Sequence, residues 1–154
     1  MIIFADYFVK IIKVPIKFRD IPKQDGAYGP TDSGKLYMPN PVHNPTAAKR
    51  VDKTRWILSE PYQFCVFEEA DLSNRISDEG LLGVYIVNSK LETLGDNGEK
   101  IGFFPTPQNA GDPWHGYPEK MRRLGDSFDD FFIALKKAGQ INQSVCRKLL
   151  RKQI

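Results

Sequence analysis

Apolar and polar residues alternate in several short stretches of the chain, which is the period of a β-strand with one buried face. Residues 12–18 follow this pattern. Pro15 lies among them and has no N–H to donate to a neighbouring strand, so we expect this strand at a sheet edge or at a bulge. Continuous apolar runs at residues 62–67 and 81–88 predict two buried strands.

A β-hairpin is predicted around Asn97-Gly98. Both residues can adopt the positive φ angles of a type I′ turn, and strand-like segments flank them at residues 90–94 and 100–104. Two or three antiparallel strands follow from these patterns.

The period changes to that of a helix near the C-terminus. Ser127 is a capping residue, apolar residues recur at i, i+3, i+4 and i+7 from Phe128 to Leu135, and Gly139 stands where a left-handed helix end is expected. Asn142 then predicts the start of a second helix. The inward face of that helix is predicted to contain Val145, Cys146, Leu149 and Leu150.

The first part of the chain is expected to be less regular. Residues 19–45 contain five prolines and three glycines, a density that predicts a long loop. Asn44-Pro45 supplies a cap and a first helical residue, so we expect a helix from there through Val51 toward Trp56. Strands followed by helices favour an α+β fold over residues 1–154, a single domain with a small antiparallel sheet and a C-terminal helix pair packed against it.

The composition, 41% hydrophobic and 27% charged, is that of an ordinary globular protein and excludes disorder and coiled coil. The longest apolar runs are far below the ~18 residues of a membrane span, and no cleavage site follows the apolar N-terminus. We therefore expect a cytoplasmic protein without a membrane segment. Cys65 and Cys146 are expected as reduced thiols, with no metal and no cofactor.

Charge is distributed unevenly along the chain. The net charge is +3, yet residues 1–59 carry +5, residues 60–99 carry −7, residues 100–118 are neutral and residues 119–154 carry +5. Two basic ends around an acidic middle favour a polyanion-binding face if the cations of both ends converge. The alternative is that these charges neutralise one another across the surface.

The cations that we expect to bind a polyanion lie in two predicted helical regions. They are Lys49, Arg50 and Lys53 in the first region, and Arg147, Lys148, Arg151 and Lys152 in the second. The C-terminal helix pair has the connection length of a helix-turn-helix. Its basic residues, however, are concentrated at the C-terminal end, where they also complement the helix dipole, so phosphate contact is favoured over base recognition.

Residues 112–118 combine an acid, two aromatic rings and an imidazole between two prolines. Trp114 and Tyr117 are candidates for stacking on a flat ligand, and Asp112 is a candidate for orienting His115 in proton transfer. His43 lies in a second proline-framed loop and is the candidate acid–base partner. The alternative is that Trp114 and His115 only hold their loop on the core.

The segment from Gly29 to Lys35 matches most of the glycine loop that binds nucleotide phosphates. We do not expect that function, because Leu36 stands where a magnesium-binding hydroxyl is required and Pro39 and Pro41 prevent the helix that should follow.

Three hypotheses follow. The first is a small protein that binds RNA or DNA through a basic helical surface. The alternative is a small metal-independent ribonuclease or phosphodiesterase that uses His115 with His43 or Asp112. The third is a non-enzymatic module that binds a protein partner through the acidic middle and the aromatic loop.

Overall fold

The computed structural model describes residues 16–154, within which the chain forms an α+β fold. The strands are β1 (Gly80–Gly83), β2 (Ile86–Val87), β3 (Lys90–Leu91), β4 (Ile101–Pro105) and β5 (Tyr117–Glu119). The helices are α1 (Glu60–Leu72), α2 (Asp129–Lys137) and α3 (Gln143–Leu150), with 3₁₀ helices at Pro41–His43 and Met121–Arg123. Strands β1, β4 and β5 form an antiparallel sheet in that order, and β2 pairs with β3. The predicted fold class is confirmed.

The three-stranded sheet separates two hydrophobic cores, because successive side chains of a strand point to opposite faces. Leu81 and Phe104 pack on one face with residues of α1, and this cluster is called the α1 core. Their neighbours Leu82 and Phe103 pack on the other face, in the helix-pair core. The helices α2 and α3 contribute Phe132, Leu135, Cys146 and Leu149 to the helix-pair core.

Helix α1 lies close to the sheet because two glycines face each other across β1 and β4, Gly83 opposite Gly102. A Cβ atom at Gly83 would lie 2.5 Å from Cγ1 of Val66, and one at Gly102 would lie 2.9 Å from Cη2 of Trp56. Larger residues at these two positions would push α1 and Trp56 away from the sheet.

The prediction of a strand at residues 62–67 is wrong, since these residues belong to α1. Pro61 occupies the first turn, where its missing N–H costs no hydrogen bond. Apolar residues of α1 are buried around most of its circumference, including the consecutive Phe64, Cys65, Val66 and Phe67. A helix buried on several sides loses the one-faced pattern, and a short apolar run within it then has the appearance of a buried strand.

The prediction of a helix from Asn44 toward Trp56 is also wrong, because this segment consists of turns and isolated bridges. The predicted combination of cap and proline occurs four residues earlier, at Asn40-Pro41. Asn40 Oδ1 accepts the N–H of Val42 at 3.2 Å and caps the 3₁₀ helix Pro41–His43. Asn44 instead donates to Glu60 at 2.8 Å, which ties the loop to α1.

The strands pair differently from the prediction. Strand β3 pairs with β2 across Asn88 and Ser89, whose φ angles are 51° and 65°, and β4 pairs with β1 and β5. A turn does form at residues 95–98, where the N–H of Gly98 donates to the carbonyl of Gly95 at 3.1 Å, but it is not the predicted type I′ turn, because Gly98 has a positive φ of 87° and Asn97 does not. It joins irregular segments, however. The predicted run at 81–88 is divided into β1 and β2, and most of the predicted strand at 12–18 lies outside the described residues.

The C-terminal helix pair agrees closely with its sequence pattern. The side chain of Asn142 accepts the N–H of Val145 at 2.8 Å, and Gly139 ends α2 with a φ of +76°. Ser127 differs from its predicted role, because its hydroxyl donates to Glu79 instead of capping α2. In the described part of the chain, no helix is long and apolar enough to cross a membrane.

We predict that Gly83→Ala lowers the free energy of unfolding by about 3 kcal/mol, because the new methyl group would overlap Val66 and crowd the backbone of α1. Gly125→Ala is the matched control. A Cβ atom there would meet only the carboxylate end of the exposed Glu79 side chain, at 3.0 Å, and no backbone or core atom, so we expect a smaller loss even though Glu79 accepts hydrogen bonds from Gly125 and Ser127. Urea unfolding of both variants measures the difference, and equal stabilities would contradict the close approach of α1 to the sheet.

Candidate functional site

Basic side chains surround two neighbouring cavities on the same side of the protein. The first, of about 500 Å³, is lined by the cations Lys53, Lys120, Arg122 and Arg123, by the acidic Asp52, Glu99 and Glu119, and by His43 and Tyr117, among others. The second, of about 660 Å³, is lined by Lys90, Lys100, Lys120 and Lys148 together with Glu92. Because Lys120 borders both cavities, we treat them as one feature and call it the basic groove. Both volumes are in the range of ligand-binding clefts, ~300–1,000 Å³.

The segment that follows β5 brings cations to the centre of this groove. Met121 is fully buried, whereas Arg122 and Arg123 beside it are exposed. The N–H of Met121 donates to the carbonyl of Ile154 at 2.7 Å, which fixes the segment after α3 next to the 3₁₀ helix Met121–Arg123. This contact explains how Lys148 of α3 comes to line the same groove as Lys120.

Cations from the N-terminal part of the chain are paired with carboxylates from the acidic middle. Four such ion pairs lie between 2.7 and 2.8 Å: Arg19–Glu68, Lys23–Glu60, Lys35–Asp71 and Arg55–Asp96. Burial raises the pKa of the Asp71 carboxyl, but hydrogen bonds from Lys35 and Ser33 outweigh it and hold the pKa below its usual value. Charge in this part of the surface is therefore largely neutralised.

Most cations of the basic groove, in contrast, are not paired with carboxylates of the described residues. Within residues 16–154, no ion pair is formed by Lys53, Lys90, Lys100, Lys120, Arg122 or Lys148. Arg123 has only a long contact of 3.8 Å with Glu119. The sequence suggested that cations from both ends of the chain converge on one face. Most of the cations that line the groove come from the later part of the chain, and Lys53 comes from the earlier part.

His43 is held rigidly at the wall of the first cavity, with only 7% of its surface exposed. Its Nδ1 lies 2.6 Å from the carbonyl of Thr54, and its ring stacks on Tyr117 with the centroids 5.1 Å apart. The carbonyl can only accept, so Nδ1 carries the hydrogen and donates it. Burial lowers the pKa of His43, although the hydrogen bond to Thr54 opposes this change. The imidazole is therefore neutral at pH 7.

His115 and Asp112 are placed elsewhere. His115 is exposed, its Nδ1 lies 2.8 Å from the carbonyl of Met38, and it lines neither cavity of the basic groove. Asp112 accepts a hydrogen bond from Asn109 at 3.3 Å. The proposed pairs of His115 with His43 and of His115 with Asp112 are thus not assembled among the described contacts.

The two aromatic residues proposed for stacking are engaged inside the protein. Trp114 is 8% exposed and packs against Phe67 in the α1 core, with the ring centroids 5.8 Å apart. Tyr117 is half-buried, with His43 on one face and the edge of Phe103 against it at 5.9 Å. Burial raises the pKa of the Tyr117 hydroxyl. These rings hold the site in shape and present little free surface for a base.

The remaining predicted cations are divided among several places. Lys53 and Lys148 line the basic groove. Lys49 and Arg50 are exposed outside it, and Arg50 lies 3.6 Å from Asp52. Lys152 is paired with Asp126 at 2.9 Å. Arg147 and Arg151 line a smaller cavity of about 230 Å³ between α2 and α3.

Sequence reasoning missed most of the groove: Lys90, Lys100, Lys120, Arg122 and Arg123. These residues lie in or beside short strands, and they meet only because the tertiary structure brings β3, β4 and the segment after β5 together. The one local signal was the dense basic run at residues 120–123.

The glycine loop from Gly29 to Lys35 does not present its lysine for phosphate binding. Lys35 Nζ donates to Ser33 at 2.7 Å and to Asp71 at 2.8 Å. Within residues 16–154, no group of three or more His, Cys, Asp and Glu side chains is arranged to hold a metal ion.

Comparison of the chain with protein-family models, with curated proteins and with solved structures gives no match. Any assignment of function therefore depends on the geometry of the basic groove.

We predict that the buried, neutral state of His43 makes folding pH-dependent. The unfolded chain binds a proton at His43 as the pH falls below its ordinary pKa of ~6.5, whereas the folded chain does not until a lower pH is reached. Stability from this residue is therefore complete above that range and decreases as the pH falls through it.

Urea unfolding of the wild type and of His43→Asn at a series of pH values tests this. The asparagine amide keeps a donor for Thr54 but does not titrate, so the stability advantage of the wild type should decrease on acidification. A constant difference between the two proteins would show that His43 does not titrate differently on folding.

Proposed function

We propose that this protein binds a polyanion, RNA or DNA, through the basic groove. One observation carries the proposal: six cations around the groove have no ion-pair partner within residues 16–154, while four cations of the preceding segment are paired with carboxylates. Unpaired cations that line a concave surface create a positive potential, which attracts and retains a phosphate backbone.

The geometry supports contact with phosphates more than recognition of bases. Trp114 is buried, and the exposed large apolar residues within the described range are the aliphatic Leu36, Val51, Ile57 and Ile76. Stacking on single strands requires accessible aromatic rings, and base reading requires an element that fits a groove of the duplex. We therefore expect binding with weak dependence on sequence and strong dependence on salt.

The ribonuclease hypothesis has weaker support. His43 lies in the basic groove, but His115 lines neither of its cavities, and its Nδ1 donates to the carbonyl of Met38 at 2.8 Å. Metal-independent cleavage needs a second proton-transfer group beside the first. RNA cleavage in the presence of EDTA that is lost in His115→Ala would favour this hypothesis over binding alone.

We predict that Lys120→Gln weakens binding to a single-stranded oligonucleotide and reduces the slope of log K against log salt by about 0.7, the value for one lost phosphate contact. Lys120 is the informative position because it borders both cavities. Fluorescence anisotropy at several salt concentrations measures affinity and slope together.

Lys49→Gln is the matched control for this variant. Lys49 is exposed, has no ion pair among the described residues and lies outside both cavities, so its removal changes the net charge equally. Equal losses in the two variants would indicate a diffuse attraction to net charge and contradict a defined groove. Absence of salt-dependent binding in the wild type would contradict the proposed function itself.

A further inference from the structure

We propose that the first cavity of the basic groove selects RNA over DNA by accepting a hydrogen bond from the ribose 2′-hydroxyl. This inference rests on the proposed function and names the kind of nucleic acid that the groove takes. Its basis is a pair of residues, His43 and Glu119, that line the same cavity as the unpaired cations and each keep a hydrogen-bond acceptor without a partner among the described residues.

Nε2 of His43 is a hydrogen-bond acceptor because Nδ1, the other ring nitrogen, carries the hydrogen. Nδ1 donates to the carbonyl of Thr54 at 2.6 Å, so in the neutral imidazole the unprotonated nitrogen is Nε2. Among the described residues, Nε2 has no hydrogen-bond partner. Stacking on Tyr117 holds the ring, and the 2.7 Å hydrogen bond from the N–H of Trp56 to the carbonyl of His43 holds the backbone that carries it.

Glu119 presents a second acceptor beside the cations. Its Oε1 accepts the backbone N–H of Lys120 at 2.9 Å, which fixes the carboxylate at the end of β5. Arg123 approaches it only to 3.8 Å. One carboxylate oxygen therefore remains for a donor that enters the cavity.

A site for phosphates alone gains nothing from these acceptors. The sugar-phosphate backbone of DNA offers acceptor oxygens only, and a carboxylate beside them is repulsive. The 2′-hydroxyl of RNA adds one donor per nucleotide, next to the phosphates that the cations hold. Cations together with fixed acceptors thus match ribose phosphate better than deoxyribose phosphate.

The amino groups of bases are the competing donors, and the test separates them from the 2′-hydroxyl. Three single-stranded probes of ~12 nucleotides have one common sequence of adenine and cytosine. The first is RNA, the second is DNA and the third is 2′-O-methyl RNA. This length is within the size range of single-strand binding sites. Bases and phosphates are identical in all three strands, and the 2′-O-methyl strand keeps a ribose oxygen but lacks the donor.

We expect the wild type to bind the RNA about tenfold more tightly than either of the other strands, the factor expected for one hydrogen bond. His43→Asn keeps a donor for Thr54 but places no acceptor at the position of Nε2, so the ratio of RNA affinity to DNA affinity should fall toward one. Glu119→Gln should reduce the same ratio, and serves if His43→Asn folds poorly.

Asp130→Asn is the matched control, because it neutralises an exposed carboxylate on α2 and should leave the ratio intact. Equal, salt-dependent affinities of the wild type for RNA and DNA would overturn this inference and leave the proposed function standing. Tight binding of 2′-O-methyl RNA, or an unchanged ratio in both cavity variants, would also overturn it. Failure of all three strands to bind would overturn both proposals.

Discussion

Four cations in residues 16–59 pair with carboxylates in residues 60–99, and these pairs determine which side of the described structure is neutralised. Glu60, Glu68 and Asp71 on α1 hold Lys23, Arg19 and Lys35, and Asp96 holds Arg55. Such pairs near the surface contribute little to stability, about 0–1 kcal/mol each. Their consequence is electrostatic, since the charge around α1 is largely neutralised while most cations of the basic groove keep their positive charge unpaired within residues 16–154.

The three-stranded sheet determines where the unpaired cations are located. Its two faces carry separate cores, with α1 held close on one face by Gly83 and Gly102 and the helix pair packed on the other. At its edge, β5 leads into the 3₁₀ helix Met121–Arg123, whose buried Met121 anchors the chain while its neighbours remain outside. The basic groove therefore forms where β5, the β2–β3 hairpin and α3 come together.

Sequence patterns predicted the parts of this fold that depend on local interactions. The helix pair follows from one amphipathic period and from Asn142 and Gly139 at the helix ends, which act within a few residues. Helix α1 was missed because burial on several sides removes the one-faced pattern. The helix expected after Asn44 does not form, because that side chain is used in a contact with Glu60 that no local rule contains.

The groove was predictable only in part, because contacts between residues distant in sequence decide which cations line it. The segment charges indicated basic ends, but they could not show that the carboxylates of the middle would neutralise one end and spare the other. Lys53 and Lys148 were expected, whereas Lys90 and Lys100 join them only through tertiary structure. His115 and Trp114 lie in the most unusual stretch of the sequence, yet they hold their loop in place. His43, in an ordinary loop, faces the cavity.

The most direct test of which lysines are paired and which line the groove is the reactivity of each lysine toward an acylating reagent. Mass spectrometry measures this reactivity with and without a bound single-stranded oligonucleotide. Lysines of the groove, Lys90, Lys100, Lys120 and Lys148, should react in the free protein and become protected when the strand is bound. The paired Lys23 and Lys35 should react at the same rate in both states. Protection of Lys23 and Lys35, or uniform protection of all lysines, would contradict the account.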